Sequence, residues 1–565
     1  METITLYQKI TSKVLIVIYC TLIPFFFVLK ANSSEAKVPL ITTEPKYPAI
    51  SSSCDEAAQP FIDQGLNWFY GFQFANALVS FEAAFETDKT CVAALWGIAL
   101  NAKGNPNSRY LAFKDDPEKE GLKAIQKAIE LRSHANQLSR ELTDALSKFY
   151  LPLNIDQKRK DRNYTQAMLE LQKKLPSNPD INTLFAEAFM TENAWDYWTP
   201  DGSPRPGTIK AVDALNEALN NDPNHPGANH LFIHIYEDSQ TPQIALPHAE
   251  RLANIMPTVA HMVHMPAHIY IRTGKYQKSI EQNLHAIEAA EQFSKRWKIA
   301  SKTHFVSLPM SPKSSIAHAD DFIWYAYLEQ GNYKKSIESA NRIANRVKNR
   351  ITKSLMAQGR YVLPMLTNRI FAKWDKILAN ENDSSDSQLI KGIGHFVKGT
   401  AYINTGDLEK ALTEYNKLKI IAVKEDARNM QIYSNSVQDI LLIATNVLDA
   451  EIAVASGEIE KAIALYHQAI IAEDNLNYME PPEWRFPVRR ELGSLLLKLG
   501  RPQEATTIFW EDLRRHPENG WALHGVVEGA SQTKDLEEKQ QATDRLKKAW
   551  EHSDTELDHA QAKRL

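Results

Sequence analysis

The stretch GTAYINTGDLEKALTEY, residues 399–415, decides the fold. A small residue, Gly399, is followed three positions on by Tyr402; then come Gly406, Ala411 and, four later, Tyr415. Residues three or four apart share a helix face. The spacing therefore predicts two short helices joined at Gly406. Each small residue lets the helices approach closely, and each aromatic ring fills the gap beside it.

The pattern recurs along the chain. Gly65, Trp68, Ala77, Phe81 and Ala84 form one unit, and Ala450, Gly457, Ala462, Tyr466 and Ala469 another. Gly493, Gly500, Ala505, Phe509 and Pro517 form a further unit, with weaker ones at Trp324–Ala340 and Met365–Leu378. This recurrence resembles the tetratricopeptide repeat, a helix-turn-helix unit of about 34 residues. The resemblance implies an all-α chain, a tetratricopeptide-like α-solenoid winding as a right-handed superhelix. The expected organisation is one solenoid over 54–553, preceded by a polar linker (31–53) and followed by a polar tail (554–565).

Composition bounds the function. Charged residues make up 24 % of the 565 and the net charge is −4, so there is no basic excess of the kind that tracks phosphates, and nucleic acid is not an expected partner. Lys9 and Lys13 precede an apolar run from Val14 to Leu29, which reads as a signal peptide over 1–30. The alternative is an uncleaved anchor formed by residues 14–29. Either way the body is expected to be exported, periplasmic or extracellular, touching membrane only through this segment. Beyond Cys20 in that segment, the chain has Cys54 and Cys91, which can pair as a disulfide in an oxidising compartment or stay as separate thiols.

Seven of the 17 histidines fall within residues 225–268. His230, His234 and Glu237 stand at i, i+4 and i+7, and His261, His264 and His268 at i, i+3 and i+7. Each set therefore marks one face of one helix. The unit Pro226–Val259 and the next unit, with Ala267, Tyr270, Gly274, Tyr276 and Ser279, are consecutive. In the tetratricopeptide resemblance these two faces, with Arg272, line the concave groove from adjacent helices. A third unit, set in register by Gly331 and Tyr333, places His318, Asp321 and Tyr325 on the same side. His225 and His248 fall off the groove positions.

Neutral imidazole and carboxylate are ligands for zinc, copper, iron, manganese or nickel. The groove is thus expected to bind a divalent transition metal through His230, His234, His261, His264 and His268. Glu237, His318 and Asp321 would serve as ligands or outer partners, and eight groups leave room for two ions. Pro266, inside the predicted helix, should kink it. The loop 191–208, with Trp195, Tyr197 and Trp198, reads as a lid or as a hydrophobic plug. No nucleophile or cofactor fingerprint is present: there is no G-x-S-x-G, H-E-x-x-H or G-x-x-x-x-G-K-[ST]. Whether the groove performs metal-dependent catalysis on a small molecule or peptide is therefore open. The competing class is a scaffold that binds a protein or peptide segment there without metal.

The segments CVAALWGIAL (91–100), AWDYWTPDGSP (194–204), HPGANHLFIH (225–234), HMVHMPAHIYIRTGKY (261–276), EPPEWRFPVRRELG (480–493) and EDLRRHPENGWALHG (511–525) also stand in a shared order. With them the chain resembles a family of bacterial tetratricopeptide-repeat proteins marked by HPGxxHxxIH and HxxHMPxHI. The resemblance implies a fold and a motif set, not a substrate. The family pattern has His where this chain has Phe74 and again where it has Asp321. Asp321 can still coordinate a metal; Phe74 cannot.

Overall fold

The computed structural model describes residues 52–108, 117–151, 153–199, 201–297, 312–379, 385–432 and 434–555, with single positions 38, 40 and 50. The signal or anchor segment with Cys20, nearly all of the linker, and residues 556–565 of the tail lie outside the described residues. The described chain is all-α, a tetratricopeptide-like solenoid of antiparallel helix pairs. A two-residue antiparallel pairing, Gln431–Ile432 with Asn435–Ser436, is the one sheet among the described residues. No described helix is long and apolar enough to cross a membrane.

The repeat spacing acts as the sequence requires. Gly399 and Tyr402 lie on the helix Gln388–Asn404, and Ala411 and Tyr415 on Leu408–Ala422. Gly406 turns the chain between them at φ 83°, where a side chain would be strained. In the first unit, the helices Gln59–Tyr70 and Phe74–Thr87 meet at Gly65, where an added Cβ would lie 2.5 Å from Phe81 Cε1. Trp324–Ala340 spans the helices Pro312–Glu329 and Tyr333–Val347. Cys54 and Cys91 are joined as a disulfide, tying the approach to the first helix to the start of the helix Val92–Ala102.

One apolar core runs from Ile50 to Ile269 and a second from Val362 to Ala542. Between them lies a third, containing Ala267, Ile271, Phe322, Trp324, Phe486 and Trp521. Late repeats thus pack back on the middle ones. Trp521 Nε1–H donates to the Leu328 carbonyl at 3.0 Å, and the Tyr276 hydroxyl donates to that of Pro517 at 2.9 Å. This return path brings segments far apart in sequence to the histidine helices.

Candidate metal centre

His230 and His234 project from the helix Pro226–Glu237. His261 and His264 sit on Ala260–His264, and His268 on Pro266–Arg272. The expected break at Pro266 falls at Met265 and divides the two segments. His318 arrives on Pro312–Glu329. His230, His234, His261, His264, His268 and Glu237 are all buried. These faces are covered, not open: Phe72 stacks at 5.5 Å on both His234 and His261, and Trp195 meets His234 edge-on at 5.6 Å. Tyr478 stacks on Trp195 in turn, with ring centroids 6.2 Å apart.

The histidines divide into two triads, His230/His234/His261 and His264/His268/His318, and within each the candidate ligand atoms lie within 4.8 Å of one another. The first triad takes an i, i+4 pair from one helix and a single imidazole from a neighbour; the second takes its i, i+4 pair from either side of the break at Met265 and His318 from a neighbour. Two ligands at ~2.1 Å from one ion can be at most about 4.2 Å apart, and adjacent ones in a tetrahedron stand about 3.4 Å apart. Small side-chain rotations close that difference.

The hydrogen bonds orient the rings. His230 Nδ1–H donates to the Tyr70 carbonyl at 2.6 Å, which turns Nε2 inward, 3.0 Å from His261 Nε2. His234 Nδ1–H donates to Glu237 Oε1 at 2.7 Å, and its Nε2 is buried without a partner. His264 Nδ1–H donates at 2.6 Å to Asn283 Oδ1, itself oriented by the Asn283 amide donating to the Ser279 carbonyl. His264 Nε2 is therefore a lone pair, and it lies 3.0 Å from His268 Nε2. His268 Nδ1 lies 2.7 Å from Glu237 Oε2 and 2.8 Å from Glu480 Oε2, aligned along neither. With that proton on Nδ1, a neutral His268 would set two lone pairs against each other. A proton or a metal ion must lie between them.

The charges follow. Burial alone would pull His268 down, but Glu237 and Glu480 raise it to about 10. Burial pushes Glu237 up, yet His268 and His234 hold it at about 2. Burial and the neighbouring imidazoles drive His230 and His261 well below the ordinary histidine range, and His264 to about 3. In the metal-free chain these three rings are neutral and able to bind an ion, while His268 carries the proton.

Of the residues the sequence singles out, the six histidines come together, and Glu237 touches one histidine of each triad, His234 and His268; with His268 and Glu480 it forms a further group close enough to hold an ion. Asp321 reaches the right face but accepts from Arg360 at 2.7 Å and joins neither triad. Arg272 donates to the Glu237 and Ser239 carbonyls, each at 2.9 Å, fixing the rim. His225 caps its helix by accepting from Ala228 N, and His248 stacks on Phe232 at 3.9 Å, so both have structural work outside the centre. Trp195 covers the site, whereas Tyr197 is core and the Trp198 indole donates to the Ile235 carbonyl. Sequence reasoning missed Phe72 and Asn283, and it reads Glu480 only as part of a loop and helix start over 480–490. An acidic residue inside the Pro-rich EPPEWRF segment was the available signal for Glu480.

A family model described as the tetratricopeptide repeat matches residues 394–419. No curated protein sequence matches the chain. Among solved structures, the human IFIT1 dimer with PPP-AAAA is 14 % identical, with 89 % of this chain and 96 % of that chain covered and a TM-score of 0.33. Naa15/Naa10 bound to HypK-THB is 12 % identical over 90 % of this chain and 91 % of that one, with a TM-score of 0.24. The P58(IPK) TPR domain is 16 % identical over 71 % and 98 %, with a TM-score of 0.20. Scores of this size have no bearing on the site. The repeat match and the helix pairs make this chain a tetratricopeptide-like α-solenoid.

Proposed function

We propose that this solenoid is a transition-metal-binding protein whose buried histidine triads hold the ions. The observation that carries the reading is the pair His264 and His268: His264 Nδ1 is bonded to Asn283, His268 Nδ1 lies against Glu237 and Glu480, and the two Nε2 atoms face each other at 3.0 Å. An all-imidazole set suits zinc, copper, nickel or iron better than manganese, which prefers oxygen. Outer partners that fix ring orientation are usual at such sites, and Tyr70, Glu237, Asn283 and Glu480 fill that role. The Cys54–Cys91 bridge supports the reading of residues 1–30 as an export signal or anchor.

The test is elemental analysis of protein purified from its own compartment, with melting before and after chelation. Stoichiometric metal, reduced by one ion in His264→Ala with the helical fold retained, is the expected result. Metal-free protein whose melting ignores both chelator and added ions would leave the second reading, a scaffold binding a protein or peptide segment, which the repeat architecture favours. Under the metal reading, a reaction on a small molecule or peptide would draw on the bound ion.

A further inference from the structure

The two triads are adjacent. His261 of the first and His264 of the second share one short helix, with ring centroids 6.4 Å apart, and His234 and His268 face each other across the same boundary at 6.4 Å. One carboxylate serves both: Glu237 accepts from His234 through Oε1 and lies against His268 through Oε2. Phe72 walls the first triad, 4.5 Å from the His230 ring, and Phe322 walls the second, 4.7 Å from His264 and 4.6 Å from His268. Two-metal sites are built with ions about 3.5–4 Å apart, and rings this close can converge on such a pair.

Charge then limits what else can enter. Six neutral imidazoles contribute nothing, so two divalent ions are met by the carboxylates of Glu237 and Glu480 alone. Arg272 at the rim, 4.0 Å from Glu480, adds positive charge rather than removing it. An excess of positive charge in a buried, ring-walled space is unfavourable unless an anion is recruited.

On the basis of the metal-binding reading above, we infer that the six histidines form one binuclear centre whose two ions share a small bridging anion of hydroxide or azide size. Such a ligand lies between the triads, beneath Trp195 and Tyr478. No electron transfer is required, and the bridge enters with its own negative charge.

The experiment uses the full chain, stripped of metal and titrated with Cu(II), then with azide. The expected result is two coppers per chain, with an electron paramagnetic resonance signal at least fivefold below that of two isolated spins, because a shared bridge couples them. Azide should bind once per pair. His318→Ala and, independently, His234→Ala each break one triad and should bind one copper with a full one-spin signal. Circular dichroism shows that each variant is folded. Two coppers giving a full two-spin signal, or azide binding twice, would overturn the shared bridge and leave metal binding intact. Failure of the folded wild-type chain to bind copper would overturn both.

Discussion

Two buried polar nodes lie within the same solenoid and are completed differently. At the first, Arg490 donates through Nε to Asp512 at 2.8 Å and through both terminal nitrogens to Glu329, at 3.0 and 2.9 Å. Asp512 also takes His516 at 2.8 Å and the Asn519 amide at 3.2 Å. Every oxygen of Glu329 and Asp512 has a donor. At the histidine node, His234 Nε2 and His261 Nδ1 have no hydrogen-bond partner, and neither carboxylate oxygen of Glu480 has an aligned donor. A buried polar atom without a partner weakens folding by roughly 1–3 kcal/mol. The first node closes a repeat contact; the second leaves buried polar atoms open, which the proposed metal would fill. Three expected outcomes test that contrast.

The largest is the response of the metal-free chain to pH. Unfolded histidines take up protons below about 6.5. In the folded chain His230 and His261 resist protonation until far lower, and His264 until about 3. The unfolded state therefore binds more protons below 6.5, and stability falls as pH falls. Each such ring contributes up to about 2 kcal/mol of loss between pH 7 and pH 5. His268 acts in the opposite sense. Its raised pKa stabilises fully below about 6.5, and the contribution is lost as pH rises toward about 10. Urea midpoints at several pH values should trace both limbs, and Glu237→Gln should flatten the alkaline one. A profile flat from pH 7 to 5 would show that water or protons reach the rings freely. The Arg490 node adds no such acid limb near neutrality, since Arg490 and His516 hold Asp512, against its burial, far below the usual carboxylate range.

Next in size is Arg490→Met. It leaves Glu329 and Asp512 buried without their cation, and breaking such a pair from one side costs about 3–5 kcal/mol. Denaturant titration should show that loss, while metal content per folded chain stays unchanged. A coupled loss of metal would mean that the two nodes are one structure.

How far the sequence carried this contrast depends on the kind of information involved. The repeat was legible because Gly65 against Phe81, and Gly493 against Phe509, are local steric pairs whose spacing survives any superhelix path. The histidine faces were legible for the same reason: helix periodicity set His230 beside His234, and His264 beside His268. The division into two triads was not, because it depends on the break at Met265 and on how neighbouring units are rotated. Glu480 and Phe72 reach the centre only through tertiary folding, which no local spacing encodes. The Tyr70 carbonyl that orients His230 has no side-chain signature at all. Asp321 shows the converse, with the register right but Arg360 taking the carboxylate.

The smallest expected effect discriminates most sharply. His261 is fully committed to the first triad: its Nε2 meets His230, its Nδ1 meets nothing, and Phe72 stacks on its face at 5.5 Å. Replacing the ring with an apolar side chain of similar size removes the penalty of the unpartnered Nδ1 and keeps the packing, against the loss of the single contact with His230. His261→Leu in the metal-free chain should therefore change stability by less than about 1.5 kcal/mol, in either direction. It should also steepen the acid limb less than wild type, because one protonatable ring is gone. The same variant should bind one ion fewer, so chelation shifts its melting less. If instead it destabilises the metal-free chain as much as Arg490→Met does, His261 must be satisfied within the protein. The histidine node would then be a closed network like the one around Arg490, and the case for metal would rest on His264 and His268 alone.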